Sequence, residues 1–149
     1  MEIIAGQKAP SFSGKDQNGN PISSADYAGK KLVLYFYPKD DTPGCTAQAC
    51  NLRDHLPELQ EAGYQVLGVS TDDEKSHQKF IKKFNLNFPL LADTDHSVVE
   101  AFGVWKEKSM YGKTYMGTVR TTFLIDENGV IERIIGKVDT GKHSEQIIG

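Results

Sequence analysis

Leu32-Val33-Leu34-Tyr35-Phe36-Tyr37-Pro38, followed at once by Lys39-Asp40-Asp41-Thr42-Pro43-Gly44-Cys45, is the stretch on which the fold turns. The apolar and aromatic run before Pro38 is continuous rather than alternating and too short for a core helix. It therefore reads as a central strand buried on both faces. Thr42 can cap a helix whose first residue is Pro43, a position where the missing backbone donor does no harm. Counting on from Cys45, residues Cys45, Ala49, Leu52, Leu56 and Leu59 fall at steps of four, three, four and three, which is one apolar helix stripe. Cys45 thus begins on the core-facing side of that helix. Pro57 removes the hydrogen bond to the carbonyl of Arg53 and predicts a kink there.

Downstream, Val66-Leu67-Gly68-Val69-Ser70 is a second buried strand, and His77, Phe80, Ile81 and Phe84 turn one side of a second helix to the core. A strand-helix-strand unit with a crossover helix results. Upstream, the turn cluster Asp16-Gln17-Asn18-Gly19-Asn20-Pro21 joins two short strands in an N-terminal β-hairpin. Beyond the second helix, Asp95 is expected to cap a short helix through Val98, Val99 and Phe102, and Gly103 to Gly117 reads as an exposed loop. Strands resume at Thr121 to Ile125 and Val130 to Ile135, around the hairpin signal Asp126-Glu127-Asn128-Gly129. Lys142 to Gly149 starts a last helix. The order predicts an α/β sandwich, a central mixed β-sheet flanked by helices.

The 149 residues, 38% of them hydrophobic, suffice for one domain over 1–149 with its own core. Lys plus Arg number 17 against 20 Asp plus Glu, a net charge of −3, which speaks against nucleic acid or anionic membranes as partners. Met1 to Pro10 has no basic segment followed by a long apolar run, and no stretch of the chain is apolar enough to span a bilayer, so a cytoplasmic protein is expected. Two cysteines are too few for a disulfide scaffold. They are either inert buried thiols or redox groups.

Redox chemistry requires a thiolate, and an ordinary thiol, ionising near pH ~8.5, offers only a few per cent at neutral pH. The first turn of a helix favours an anion by up to ~2 kcal/mol in partly buried geometry, through its unpaired amides and macrodipole. A guanidinium would add to this. Arg120, entering the strand at Thr121, is the candidate, on the reasoning that parallel strands end on one face. Taken alone, Arg120 would be a surface ion-pair partner, Thr42 a helix cap and Pro38 a strand end. His55, His77, His96 and His143 have no metal-ligand spacing with the cysteines, so no zinc site is expected. Trp105, Tyr111 and Tyr115 read as loop or packing residues, or as the rim of a substrate mouth or a surface that meets a reductant.

The spacing Pro38-x-x-x-Thr42-x-x-Cys45 resembles that of the peroxiredoxins. The longer string Tyr37 to Thr46, with Cys50 five residues after Cys45, is similar to the bacterioferritin comigratory protein (PrxQ-like) subfamily, as is Gly117-Thr118-Val119-Arg120-Thr121-Thr122-Phe123-Leu124-Ile125-Asp126. The likeness runs from about Gly6 to Gly136. It implies a thioredoxin-like fold and a monomer needing no metal, haem or flavin cofactor. Cys45 would be the peroxidatic cysteine, reducing hydrogen peroxide and organic hydroperoxides through a sulfenic acid. Thr42 would bind the peroxide, Arg120 hold thiolate and substrate, Pro38 wall the pocket, and the amides of Gly44 and Cys45 donate to substrate. Cys50 would be the resolving cysteine, forming a Cys45–Cys50 disulfide that thioredoxin or a similar dithiol reduces. Many members carry a glutamate where this chain has Gln48, which keeps the hydrogen bond and drops the charge.

Helix geometry opposes a Cys45–Cys50 bridge. Residues five apart are turned by about 140° with Cα atoms about 8.6 Å apart, beyond the ~7 Å that a disulfide spans. The segment from Thr46 to about His55 must therefore melt locally in each cycle. Two other functions remain open at this point, a general thiol-disulfide oxidoreductase and a non-enzymatic redox-sensing interaction module. The first would want Cys-x-x-Cys at the helix start, and the second would oxidise once without turnover.

Overall fold

A computed structural model of the chain describes residues 3–149. Met1 and Glu2, the first residues of the stretch read above for a leader, lie outside the described residues. The central stretch forms β3 (Lys31–Phe36), an interior strand of a seven-stranded mixed sheet. Successive side chains of a strand point to opposite faces. Val33, Tyr35 and Tyr37 accordingly enter one core layer and Leu32, Leu34 and Phe36 the other. Both faces are covered, which is why the run is apolar without alternation.

The strand order is β2-β1-β5-β4-β3-β8-β9. β4 (Tyr64–Ser70) and β5 (Leu90–Ala92) run parallel to β3, joined by crossover helices. The N-terminal hairpin of β1 (Ser13–Asp16) and β2 (Pro21–Ser23) pairs antiparallel with β5. On the other side β8 (Thr121–Ile125) pairs antiparallel with β3, and β9 (Ile131–Ile135) with β8. Tyr35 lies opposite Gly68 of β4, and a Cβ on Gly68 would sit 2.8 Å from the Tyr35 ring carbon Cζ. Glycine there makes room for the aromatic column of Tyr35 and Tyr37, stacked at 5.4 Å between centroids.

The stripe from Cys45 is buried throughout, on α1 (Pro43–Asp54) and α2 (Leu56–Glu61). The helix breaks at His55, two residues before Pro57, as the missing donor of proline requires. α3 (Glu74–Phe84) buries His77 and Phe80, with Ile81 and Phe84 packed against the same layer. α4 (Ser97–Ala101) covers the opposite face and α5 (His143–Ile148) lies against α1. Among the described residues no helix is long and apolar enough to cross a membrane.

Four expectations need correction. Gly103 to Gly117 is largely a second, two-stranded sheet, β6 (Trp105–Met110) and β7 (Lys113–Thr118). Its turn places Tyr111 at φ 53° and Gly112 at φ 76°, the positive pair that a two-residue hairpin turn demands. The helix near residue 97 is capped chiefly by Asp93, whose carboxylate accepts from the amides of Val98 and Val99, while Asp95 reaches only Ser97. Thr42 occupies the cap position of α1 without capping it; its hydroxyl donates backwards to the Lys39 carbonyl at 2.9 Å. Lastly, β8 runs antiparallel to β3, so Arg120 approaches Cys45 for a different reason from the one expected.

Candidate active site

Phe36, the last residue of β3, pairs with Thr121, the first of β8. In an antiparallel pair the start of one strand lies beside the end of the other. Arg120, just before β8, is therefore delivered to the place where the chain leaves β3 and opens α1. Its Nη2 donates to Cys45 Sγ at 3.3 Å and its Nη1 to Gln48 Oε1 at 2.7 Å. Gly44 lets the guanidinium lie against the helix start, for a Cβ there would stand 3.1 Å from Nη2. Cys45, third residue of α1, is 2% exposed, beside the first-turn amides. The helix start and the guanidinium both place positive charge beside this sulfur.

Thr42 stands at the front of the same helix. Because its proton is committed to Lys39, its oxygen faces a substrate as an acceptor. Pro38 is half-buried where β3 gives way to this loop. The sequence candidates Pro38, Thr42, Gly44, Cys45 and Arg120 thus gather at one end of the central strands. Gln48, fully buried, gives its oxygen to Arg120 and leaves its amide nitrogen without a partner among the described residues.

Cys50 is not part of that constellation. It is half-buried on α1, and both cysteines are free thiols. The rear of α1 is tied to the body by other bonds. Asn51 donates to the Gly141 carbonyl at 3.1 Å and accepts from the Ser144 amide at 2.8 Å, clamping α1 to the start of α5. Arg53 donates to the Phe84 carbonyl at 2.6 Å, and Asn87 donates to the Arg53 carbonyl. α5 is itself anchored by buried His143, between the Thr122 hydroxyl and Gln146. Burial, and then the Arg120 charge, hold the His143 imidazole below its ordinary ionisation range.

The sequence reading gave Lys108, Asp40 and His77 no role at the site. Lys108 on β6 is pushed below the usual lysine range by burial and by the Arg120 guanidinium, with the Cys45 thiolate opposing. The hairpin therefore brings a second cationic side chain, besides Arg120, into the field of the site. Asp40, inside the motif string, is a buried carboxylate that meets the equally buried His77 of α3. Cysteine-centred metal spacing gave no signal for this pair. Asp40, Asp72 and His77 bring ligand-type atoms within 4.8 Å of one another. The facing Asp40 and Asp72 oxygens accept hydrogen bonds and both ring nitrogens of His77 have polar partners, so the group holds together as a hydrogen-bond network.

A shielded thiol at a helix start, bonded by a guanidinium and fronted by an acceptor hydroxyl, on a thioredoxin-like sheet, defines the class of cysteine-based peroxidases. The family model of the AhpC/TSA family matches residues 5–134. The chain is 50% identical to a putative peroxiredoxin bcp of Coxiella burnetii, covering 100% of this chain and 99% of that one. It is 49% identical to peroxiredoxin Bcp of Escherichia coli strain K12, covering 98% and 94%. A solved structure of Xanthomonas campestris bacterioferritin comigratory protein, described for its alkyl peroxide reduction activity, superposes with a TM-score of 0.89 at 37% identity, over 97% of this chain and 95% of that one. The chain belongs to the AhpC/TSA family, in its bacterioferritin comigratory protein (Bcp/PrxQ) branch. It is a thiol-dependent peroxidase.

Proposed function

We propose that Cys45 is the peroxidatic thiol, that Cys50 resolves it, and that thioredoxin or a similar dithiol restores both. The thiolate sulfur of Cys45 attacks one peroxide oxygen, the O–O bond breaks, and the departing oxygen takes a proton and leaves as water or alcohol. Cys45 becomes a sulfenic acid. Arg120 binds thiolate and peroxide through its fixed fork. Thr42 accepts a hydrogen bond from the peroxide, the Gly44 and Cys45 amides donate, and Pro38 keeps water from the sulfenic acid. Cys50 then attacks the Cys45 sulfur, hydroxide leaves as water with the thiol proton, and a disulfide closes. Two electrons from the external dithiol reopen it.

The observation that carries this reading is the 3.3 Å contact between Arg120 Nη2 and Cys45 Sγ, with the other guanidinium arm held by Gln48. The activity described for the Xanthomonas campestris relative favours alkyl hydroperoxides as well as hydrogen peroxide among the substrates. One domain over 1–149, acting as a monomer in the cytoplasm where dithiol donors keep thiols reduced, completes the proposal.

The test is peroxide consumption with thioredoxin and its reductase. The wild-type chain should turn over and Cys45→Ser should be inactive. Cys50→Ser should reduce one equivalent of peroxide and accumulate sulfenic acid or intermolecular disulfide. Turnover that survives in Cys45→Ser, or single oxidation of the wild type without cycling, contradicts the proposal.

A further inference from the structure

The loop Pro38–Thr42 carries two proposed pocket groups, and one buried carboxylate holds it. Asp40 lies two residues after Pro38 and two before Thr42, with its side chain 4% exposed. Its Oδ1 accepts from the Tyr37 hydroxyl, while Oδ2 faces the Ser76 hydroxyl at 2.8 Å and His77 Nδ1 at 2.7 Å. Its amide donates to Asp72 Oδ2 at 2.8 Å, an oxygen that also accepts from Ser70. His77 Nε2 meets the Leu91 carbonyl at 3.0 Å. A carbonyl can only accept, so Nε2 bears a proton, and a second proton lies between Nδ1 and Oδ2. Asp40 and His77 are thus a proton-sharing pair, 0% exposed on the imidazole side.

The consequences reach the pocket through a short covalent path. Lys39, whose carbonyl takes the Thr42 proton, adjoins Asp40. Asp41, at φ 58°, occupies the left-handed region, which few non-glycine residues adopt and which aspartate enters more readily than most. Lys83 reaches Asp41 at 2.7 Å, but that pair is exposed, and such pairs hold little. The buried bonds of Asp40, drawn from α3 and from the chain leaving β3 and β4, are what impose the loop.

We propose that Asp40 and His77 are positioning residues of the peroxide pocket: by fixing Lys39 and the turn at Asp41, they aim the Thr42 oxygen and the start of α1 at the bound peroxide. This rests on the reading of Cys45 and Thr42 given above. Cys45 itself is held by Arg120 rather than by this pair, so loss of the pair should slow peroxide more than other electrophiles. Misplacing a reacting group by about 1 Å costs on the order of 10²-fold.

The experiment uses the reduced full chain, measuring the rates at which Cys45 reacts with hydrogen peroxide and with iodoacetamide, well below the melting temperature. Asp40→Ala should lower the peroxide rate by about 10–100-fold and the iodoacetamide rate by less than about threefold. Asp40→Asn should recover most of the peroxide rate, because the amide oxygen can accept from Tyr37 and its nitrogen can donate to His77 Nδ1. A folded Asp40→Ala within twofold of wild type, or an equal fall in both rates, overturns the proposal. If Asp40→Ala does not fold, Ser76→Ala removes one bond from Oδ2 at a half-buried position and should lower the peroxide-to-iodoacetamide ratio about threefold; an unchanged ratio overturns it. A wild-type chain that consumes no peroxide, or a Cys45→Ser variant that does, sinks the underlying reading instead.

Discussion

The two halves of α1 differ in what holds them. The front, Pro43 to Gln48, is bound to Arg120 through a charged fork, and its cysteine is 2% exposed beside the helix amides. The rear, Ala49 to Asp54, is bound through Asn51 to the Gly141 carbonyl and the Ser144 amide of α5 and through Arg53 to the Phe84 carbonyl of α3, and its cysteine is half-buried. Charge-assisted bonds around a fixed fork suit a site that must hold still while peroxide is attacked. Apart from the one Arg53 bond the rear is held by neutral bonds, worth about 0.5–1.5 kcal/mol each, which suit a segment that must open and close. One helix thus joins a rigid reaction site to a releasable strap.

That contrast breaks most severely at Arg120. Arg120→Lys keeps a charge but loses the fork across Cys45 and Gln48, and should lower the second-order rate with peroxide by about 10²-fold or more. Stopped-flow oxidation of the reduced protein checks this. Formation of the Cys45–Cys50 disulfide from a sulfenic acid already made should change little.

The strap is tested next at Asn51. Asn51→Ala removes both bonds to Gly141 and Ser144, and should favour the opened rear of α1 by roughly tenfold. Resolution by Cys50 then outpaces a second peroxide more easily, so mass spectrometry should find less sulfinic acid on Cys45 per turnover. An increase would show that Asn51 serves resolution rather than restraining it.

Gln48→Glu sharpens the front by a smaller step. The carboxylate would keep the Arg120 bond and replace the unpartnered buried amide nitrogen, yet would share the guanidinium charge with Cys45. Iodoacetamide alkylation of Cys45 at neutral pH should slow by about threefold to tenfold, with thermal stability kept or slightly raised. The smallest effect expected is that of acid on α5. His143, held below its ordinary range by burial, binds a proton more readily unfolded than folded, so stability rises with pH through the range below about 6.5 and falls on acidification. The protection of α5 amides, measured relative to their intrinsic exchange rate at each pH, should fall as pH drops below that value, and His143→Gln should flatten the dependence.

How much of this was legible followed from distance along the chain. The buried run of β3, the Cys45 stripe and the break near Pro57 are local patterns, and the structure keeps them. The β6–β7 hairpin was missed because its residues are largely polar and exposed on both faces, leaving no alternation to read. β5, only Leu90–Ala92, is too short to announce itself. Arg120 was found through the motif while the parallel-strand reasoning for it failed, since nothing in the residues of β8 tells its direction relative to β3. Asp40 and His77 stand 37 residues apart, and His77 read simply as a core-facing position. Only the crossover that lays α3 beside the end of β3 makes them partners.

The central claim is that Cys45 reacts in a folded α1 and is resolved only after the rear of that helix lets go. Hydrogen exchange across Thr46 to His55, compared between the reduced protein and its disulfide form, tests it most directly. The account predicts strong protection when reduced and its loss when oxidised, with β3 and β4 unchanged. Equal protection in the two states would contradict it.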